Sequence, residues 1–205
     1  LFLVWTNNFL ESPHSPLAEG KEERMVTRNP QQLVLVKHLY EDACTLAGRE
    51  DDFSVMKATL SLDHSVEQML NTIVMDITTQ NVPTRGAGRR DISWSEIWKR
   101  ASDAVTVLGH EIVNHAQLLA LHEVRNLAQH NGSIPTQAEV RRYLEPTEEM
   151  LTGVFRDVYA LDFPTFRLWD LIQNEALRQL LRDSEVALES GHPGVTIIGC
   201  NQAHG

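Results

Sequence analysis

The chain has 205 residues, enough to bury a core without disulfide or metal staples. Hydrophobic residues make up 42% and charged residues 22%, a balance that excludes general disorder. Its 18 Lys plus Arg against 28 Asp plus Glu leave a net charge of −10, the wrong sign for a non-specific duplex-DNA binder, so nucleic acid is admitted only as a local substrate.

Cys44 and Cys200 allow at most one bridge, which excludes a secreted disulfide framework. No apolar run approaches the roughly 20 residues of a membrane span. The opening Leu1–Leu10 stretch carries Thr6, Asn7 and Asn8 and no basic start, so it is a poor signal peptide. A reducing, cytoplasmic setting is expected. The chain begins at Leu1 rather than Met, as a fragment, a processed product or the tail of something longer would.

Residues 1–28 read as an N-terminal arm or linker, polar and Pro-bearing from Glu11 onward. Asn29-Pro30-Gln31-Gln32 then starts a helix, with Asn as N-cap and Pro at the first helical position. Leu33, Val36, Leu39, Tyr40 and Ala43 follow at helical spacing, Cys44 reads as core, and Gly48 is the stop. A longer helix is predicted from about Asp52 to about Thr79, on the stripe Val55, Leu62, Val66, Met69, Leu70, Ile73 and Ile77.

Pro83, Gly86 and Gly88 interrupt the periodicity, and Ser93-x-x-Glu96 is a capping box for a third helix carrying Trp94, Ile97, Trp98, Ala101 and Val105. A fourth helix is predicted from His110 to Asn131, ended by Gly132. Thr136-x-x-Glu139 opens a fifth, expected to kink near Pro146. Phe166–Leu188 reads as a sixth, and only Val195–Ile198 reads as strand. The expectation is an all-α bundle of about five or six helices, with 29–160 as the bundle proper and 161–205 as an extra helix and tail packed on it.

Several chemistries are excluded by pattern. Arg85-Gly86-Ala87-Gly88-Arg89-Arg90 lacks the Lys-Ser/Thr of a phosphate-binding loop, and there is no G-x-S-x-G elbow. His110 and His115 are five positions apart, about 140° around a helix, whereas zinc needs them on one face. No metal and no cofactor are expected.

The fourth helix carries the chemistry. With Arg125 as origin, Gln129 projects near 40°, His122 near 60°, Asn126 near 100° and His130 near 140°, at about 100° per residue. Ala120, Leu121, Val124, Leu127 and Ala128 collect on the opposite side. A solvated face would carry Glu and Lys. This one concentrates Arg, Asn, Gln and two His, groups that bind anions and move protons.

Arg125-Asn126-Leu127-Ala128-Gln129-His130 resembles the R-x4-H signature of HEPN domains, including the polar residue after the Arg. The order of helices is similar to that family, and Asp63-His64-Ser65-Val66-Glu67-Gln68-Met69-Leu70 resembles its second-helix pattern. The resemblance covers roughly Asn29 to Tyr159. It implies a metal-independent endoribonuclease acting as a homodimer, in stress response or defence, including toxins. Two motif helices would form a composite site in which a ribose 2′-hydroxyl attacks phosphorus. His130 would be general acid or base, Arg125 would stabilise phosphoryl charge, and Asn126 would orient the site. His122, Glu123 and Gln129 are supporting candidates by projection. Gly132 stands where some relatives carry a Tyr that a partner nucleotidyltransferase modifies, which argues against that control.

Arg85, Arg89, Arg90, Lys99 and Arg100 form the densest basic cluster, read either as an RNA-guiding patch or as a solvated loop. Trp94, Trp98 and Trp169 read as core rather than base-stacking platforms, and His64 as a surface or interface residue. Two rivals stand beside the ribonuclease: a catalytically silent HEPN-like module that binds a partner protein or nucleotide, and an unrelated helical dimerisation domain. A regulatory partner or an upstream domain would fit the first two.

Overall fold

The computed structural model describes residues 30–77, 93–172 and 174–191. Among these residues the regular structure is entirely helical: six α-helices and one 3₁₀ turn. The region predicted as strand, Val195–Ile198, lies outside the described residues.

α1 (Pro30–Ala47) buries Leu33, Val36, Tyr40, Ala43 and Ala47, a spacing of three and four that keeps one stripe inward. α2 (Asp52–Ile77) starts where the Asp51 carboxylate accepts the Ser54 N–H at 2.9 Å, an interaction that also holds the Asp51 carboxyl below the usual range. It is the central helix, buried along Val55, Leu62, Val66, Met69, Leu70 and Ile73. α3 (Trp94–Val107), α4 (His115–Asn131) and α5 (Gln137–Tyr159) all pack on it, as α1 does. The Ser93 and Thr136 side chains accept from the N–H groups of Glu96 and Glu139, so both capping residues act as the sequence predicts. α5 runs through Pro146 as one helix.

Two predicted helices start later than their periodicity suggests. The fourth begins at His115, because Gly109 (φ 84°) and Asn114 (φ 66°) are both left-handed and break the chain between them out of helical geometry. Ile112 still enters the core, and Asn114 Nδ2 donates to the Pro146 carbonyl at 3.0 Å and to Glu149 Oε2 at 2.8 Å. The Asn114 side chain is thus spent on α5 rather than on capping α4. His110 lies outside the helix, so the His110/His115 pair never shares a helical face.

The sixth predicted helix divides. A 3₁₀ turn, Leu168–Leu171, gives way to extended backbone at Ile172, and α6 (Glu175–Glu189) starts on an Asn174 cap that accepts from the Leu177 N–H. Phe166 is pulled out of helix by burial. Phe155 meets Phe163 and Phe166 edge-on at centroid distances of 4.9 and 5.3 Å, and Tyr40 meets Phe163 at 5.5 Å. Lys37 of α1 fastens this segment by donating to the Phe163 and Pro164 carbonyls, each at 2.9 Å. The main core therefore continues beyond residue 160, whereas α6 buries only Ser184 among its described residues.

Candidate functional site

α4 turns Leu118, Leu121 and Ala128 into the bundle. Leu118 lies seven positions before Arg125 and shares its face, so the Arg125 side of the helix packs toward α2 rather than away from it, whereas Leu127, projected on the apolar side, is exposed. What meets Arg125 there is a carboxylate. Asp63 of α2 is fully buried, on the same stripe as Leu62 and Val66.

A buried carboxylate in an apolar stripe needs compensating charge and hydrogen bonds. Asp63 has both. His122 Nδ1 lies 3.1 Å from Oδ1 and 3.2 Å from Oδ2, and Arg125 Nε lies 3.3 Å from Oδ2. A carboxylate only accepts, so Nδ1 of His122 carries the proton and Nε2 is the nitrogen left to act. Arg125 Nη1 also donates to Asn126 Oδ1 at 2.9 Å. The guanidinium is thereby held from two sides while a quarter of the side chain stays exposed.

Trp94, at the first position of α3, closes the site laterally. Its ring stacks on His122 with centroids 5.4 Å apart and planes 26° apart. Trp98 and His115 extend the aromatic contact, His115 lying 5.9 Å from Trp94 and 4.8 Å from Trp98. Trp94 and Trp98 are buried, as predicted, and Trp94 Nε1 has no hydrogen-bond partner among the described residues. Trp169 is only partly buried, on the 3₁₀ turn.

The structure thus brings together Arg125, Asn126 and His122. His130, Gln129 and Glu123 are exposed farther along or around the same helix and make no side-chain hydrogen bond to the described residues. Gly132 (φ 67°) ends the helix just after His130, its N–H bonded to the Leu127 carbonyl, so an L-residue there would be strained. His64 is exposed and shares a hydrogen bond with Gln68 of its own helix, at 2.9 Å.

Of the basic cluster, Arg85, Arg89 and Arg90 lie outside the described residues. Lys99 is paired with Asp103 at 2.6 Å and Arg100 with Glu96 at 2.8 Å, each one turn away on α3. Their charges are answered locally. Among the described residues no three His, Cys, Asp or Glu side chains gather into a group able to hold a metal.

Asp63 and Trp94 complete the site, and neither was assigned a role in it from sequence. The signal for Asp63 was present: an acidic residue inside the apolar stripe of a 26-residue helix demands a cationic partner elsewhere in the chain. Elsewhere among the described residues, a concavity opens between α1, the 3₁₀ turn and α6, and an acidic groove of about 460 Å³ runs along α5; neither is lined by residues of α4. In comparisons with protein-family models, curated proteins and solved structures, the chain matches none.

Proposed function

We propose that the chain is a metal-independent endoribonuclease of the HEPN type, working as a homodimer in the cytoplasm in stress response or defence. The observation that carries this reading is the lock on Arg125. Asp63 and Asn126 hold its guanidinium in one orientation while the exposed His130 stands further along the same helix. A pre-set guanidinium suits a phosphoryl group whose charge grows in the transition state, because it needs no reorganisation when that charge develops.

In this reaction the ribose 2′-oxygen bonds to the adjacent phosphorus and the bond to the 5′-oxygen breaks. His130 serves proton transfer, Arg125 answers the charge on the phosphoryl oxygens, and Asn126 keeps Arg125 in place.

The test is an RNA cleavage assay in EDTA, resolved on a denaturing gel with end-group analysis. Products ending in 2′,3′-cyclic phosphate and 5′-hydroxyl are expected, with His130→Ala slower by about 10²–10⁴-fold. No cleavage by the folded wild-type chain would overturn the reading. The silent binding module would then stand, favoured by one observation: the carboxylate of Asp63 already compensates the charge of Arg125.

A further inference from the structure

Proton transfer in a transesterification has two ends. One group takes the 2′-hydroxyl proton and another supplies a proton to the leaving 5′-oxygen. The exposed motif histidine fills one role, and the structure offers a second imidazole already oriented.

His122 is held by Asp63 through Nδ1 and covered on a ring face by Trp94. Its Nε2 has no hydrogen-bond partner among the described residues, and 18% of the side chain is exposed. A neutral imidazole with Nδ1 protonated carries its lone pair on Nε2, which is the arrangement of a general base. Asp63 makes no contact with the reacting atoms in this scheme. It is a positioning residue that fixes the tautomer and the ring plane.

Eight positions separate His122 from His130 (130 − 122 = 8), about 12 Å along the helix axis at 1.5 Å per residue. With His122 pinned by Asp63 and Trp94, the two imidazoles of one chain do not converge on a single phosphodiester. The midpoint of the pair is Asn126. If two copies of α4 cross antiparallel on a two-fold axis at Asn126, each position n faces position 252 − n of the other copy. His122 then faces the partner's His130, and Glu123 faces the partner's Gln129, a carboxylate opposite an amide donor.

We propose that His122 is the second proton-transfer residue, acting across the two-fold axis with the partner's His130 on one phosphodiester. The proposal rests on the ribonuclease reading above and extends it. Nε2 of His122 takes the 2′-hydroxyl proton as the 2′-oxygen bonds to phosphorus. The bond from phosphorus to the 5′-oxygen breaks, and that oxygen takes its proton from the partner's His130. The products are a 2′,3′-cyclic phosphate and a 5′-hydroxyl, and no oxidant or metal enters the balance.

Complementation between two inactive variants tests it. His122→Asn keeps an amide donor for Asp63 but cannot exchange a proton, and it should lose about 10²–10⁴-fold in cleavage, as His130→Ala does. In a 1:1 co-refolded mixture, half the dimers are mixed. Each mixed dimer keeps one site with both histidines, so about a quarter of wild-type activity should return. A His122 that serves folding alone would give no such recovery, nor would a site built within one chain. If the Asn variant does not assemble, His122→Gln is read in the same mixture.

Absence of recovery, or wild-type cleavage by His122→Asn, overturns the proposal while leaving the ribonuclease reading intact. An inactive wild-type chain removes both.

Discussion

α2 separates two seams of opposite character. Toward α1, α5 and the segment after Tyr159 it faces an apolar core in which Phe155, Phe163, Phe166 and Tyr40 interlock edge to face. Toward α3 and α4 the same helix presents Asp63 to His122 and Arg125 under a tryptophan. Burying a carboxylate–guanidinium pair is a poor way to stabilise a bundle, since desolvation offsets most of the attraction. Apolar packing therefore holds the fold, and it continues past the first seam into Trp98, Ala101, Leu118 and Leu121 of α3 and α4. The second seam fixes the direction in which an imidazole and a guanidinium point.

The apolar seam also contains polar groups, and they are used differently. Tyr159 donates to Asp76 at 3.1 Å, and burial, reinforced by the Asp76 charge, pushes the phenol above the ordinary tyrosine range. Lys37 donates hydrogen bonds to two backbone carbonyls, and burial lowers its pKa from the ordinary lysine value. These groups close hydrogen bonds around the core. None of their contacts orients a side chain of the α4 polar face.

The largest stability effect should come from the apolar seam. Phe155 is fully buried against three aromatic rings, so Phe155→Ala should cost about 3–5 kcal/mol by denaturant unfolding. Cleavage per folded molecule should not change. If that specific activity fell with stability, the two seams would not be separable.

A smaller loss is expected from the polar seam, with a sign reversal as its mark. Asp63→Leu leaves Arg125 and His122 without their carboxylate and should cost about 2–3 kcal/mol, below the range for fully buried pairs because Arg125 is partly exposed. Adding Arg125→Met should recover part of that loss, since the uncompensated charge goes with it. A double-mutant cycle in which the two changes simply add would show that the pair is not coupled and that Asp63 orients nothing.

Most of the fold was legible because helices of this kind are written locally. The caps at Ser93 and Thr136, the stop at Gly132 and the stripe of α2 all depend on residues within a few positions of one another. The late starts of α4 and α6 were not legible. Asn114 turns left-handed while its side chain bonds to α5, more than thirty residues away, and Phe166 leaves helix to reach Phe155. The site divides in the same way. Arg125, Asn126 and His122 share one helix and project together from sequence. Their partner Asp63 lies fifty-nine positions from His122, and only the packing of α4 on α2 joins them.

The smallest effect concerns the basic stretch, which carries charge on both sides of the described boundary. Lys99 and Arg100 are each bound to a carboxylate one turn away, so α3 offers little net positive field there. At long range an approaching polyanion responds to the summed field, in which a cation paired with a carboxylate counts for little. Replacing both pairs at once, Lys99→Met with Asp103→Asn and Arg100→Met with Glu96→Gln, should leave both RNA affinity and its salt dependence unchanged within error. Arg85, Arg89 and Arg90 are the remaining basic residues of the cluster, and neutralising all three should flatten the salt slope by about one for each phosphate they no longer neutralise. Binding isotherms at several salt concentrations compare the two variants directly. Equal slopes in the two variants would show that the local pairing of Lys99 and Arg100 does not decide which part of the cluster meets RNA.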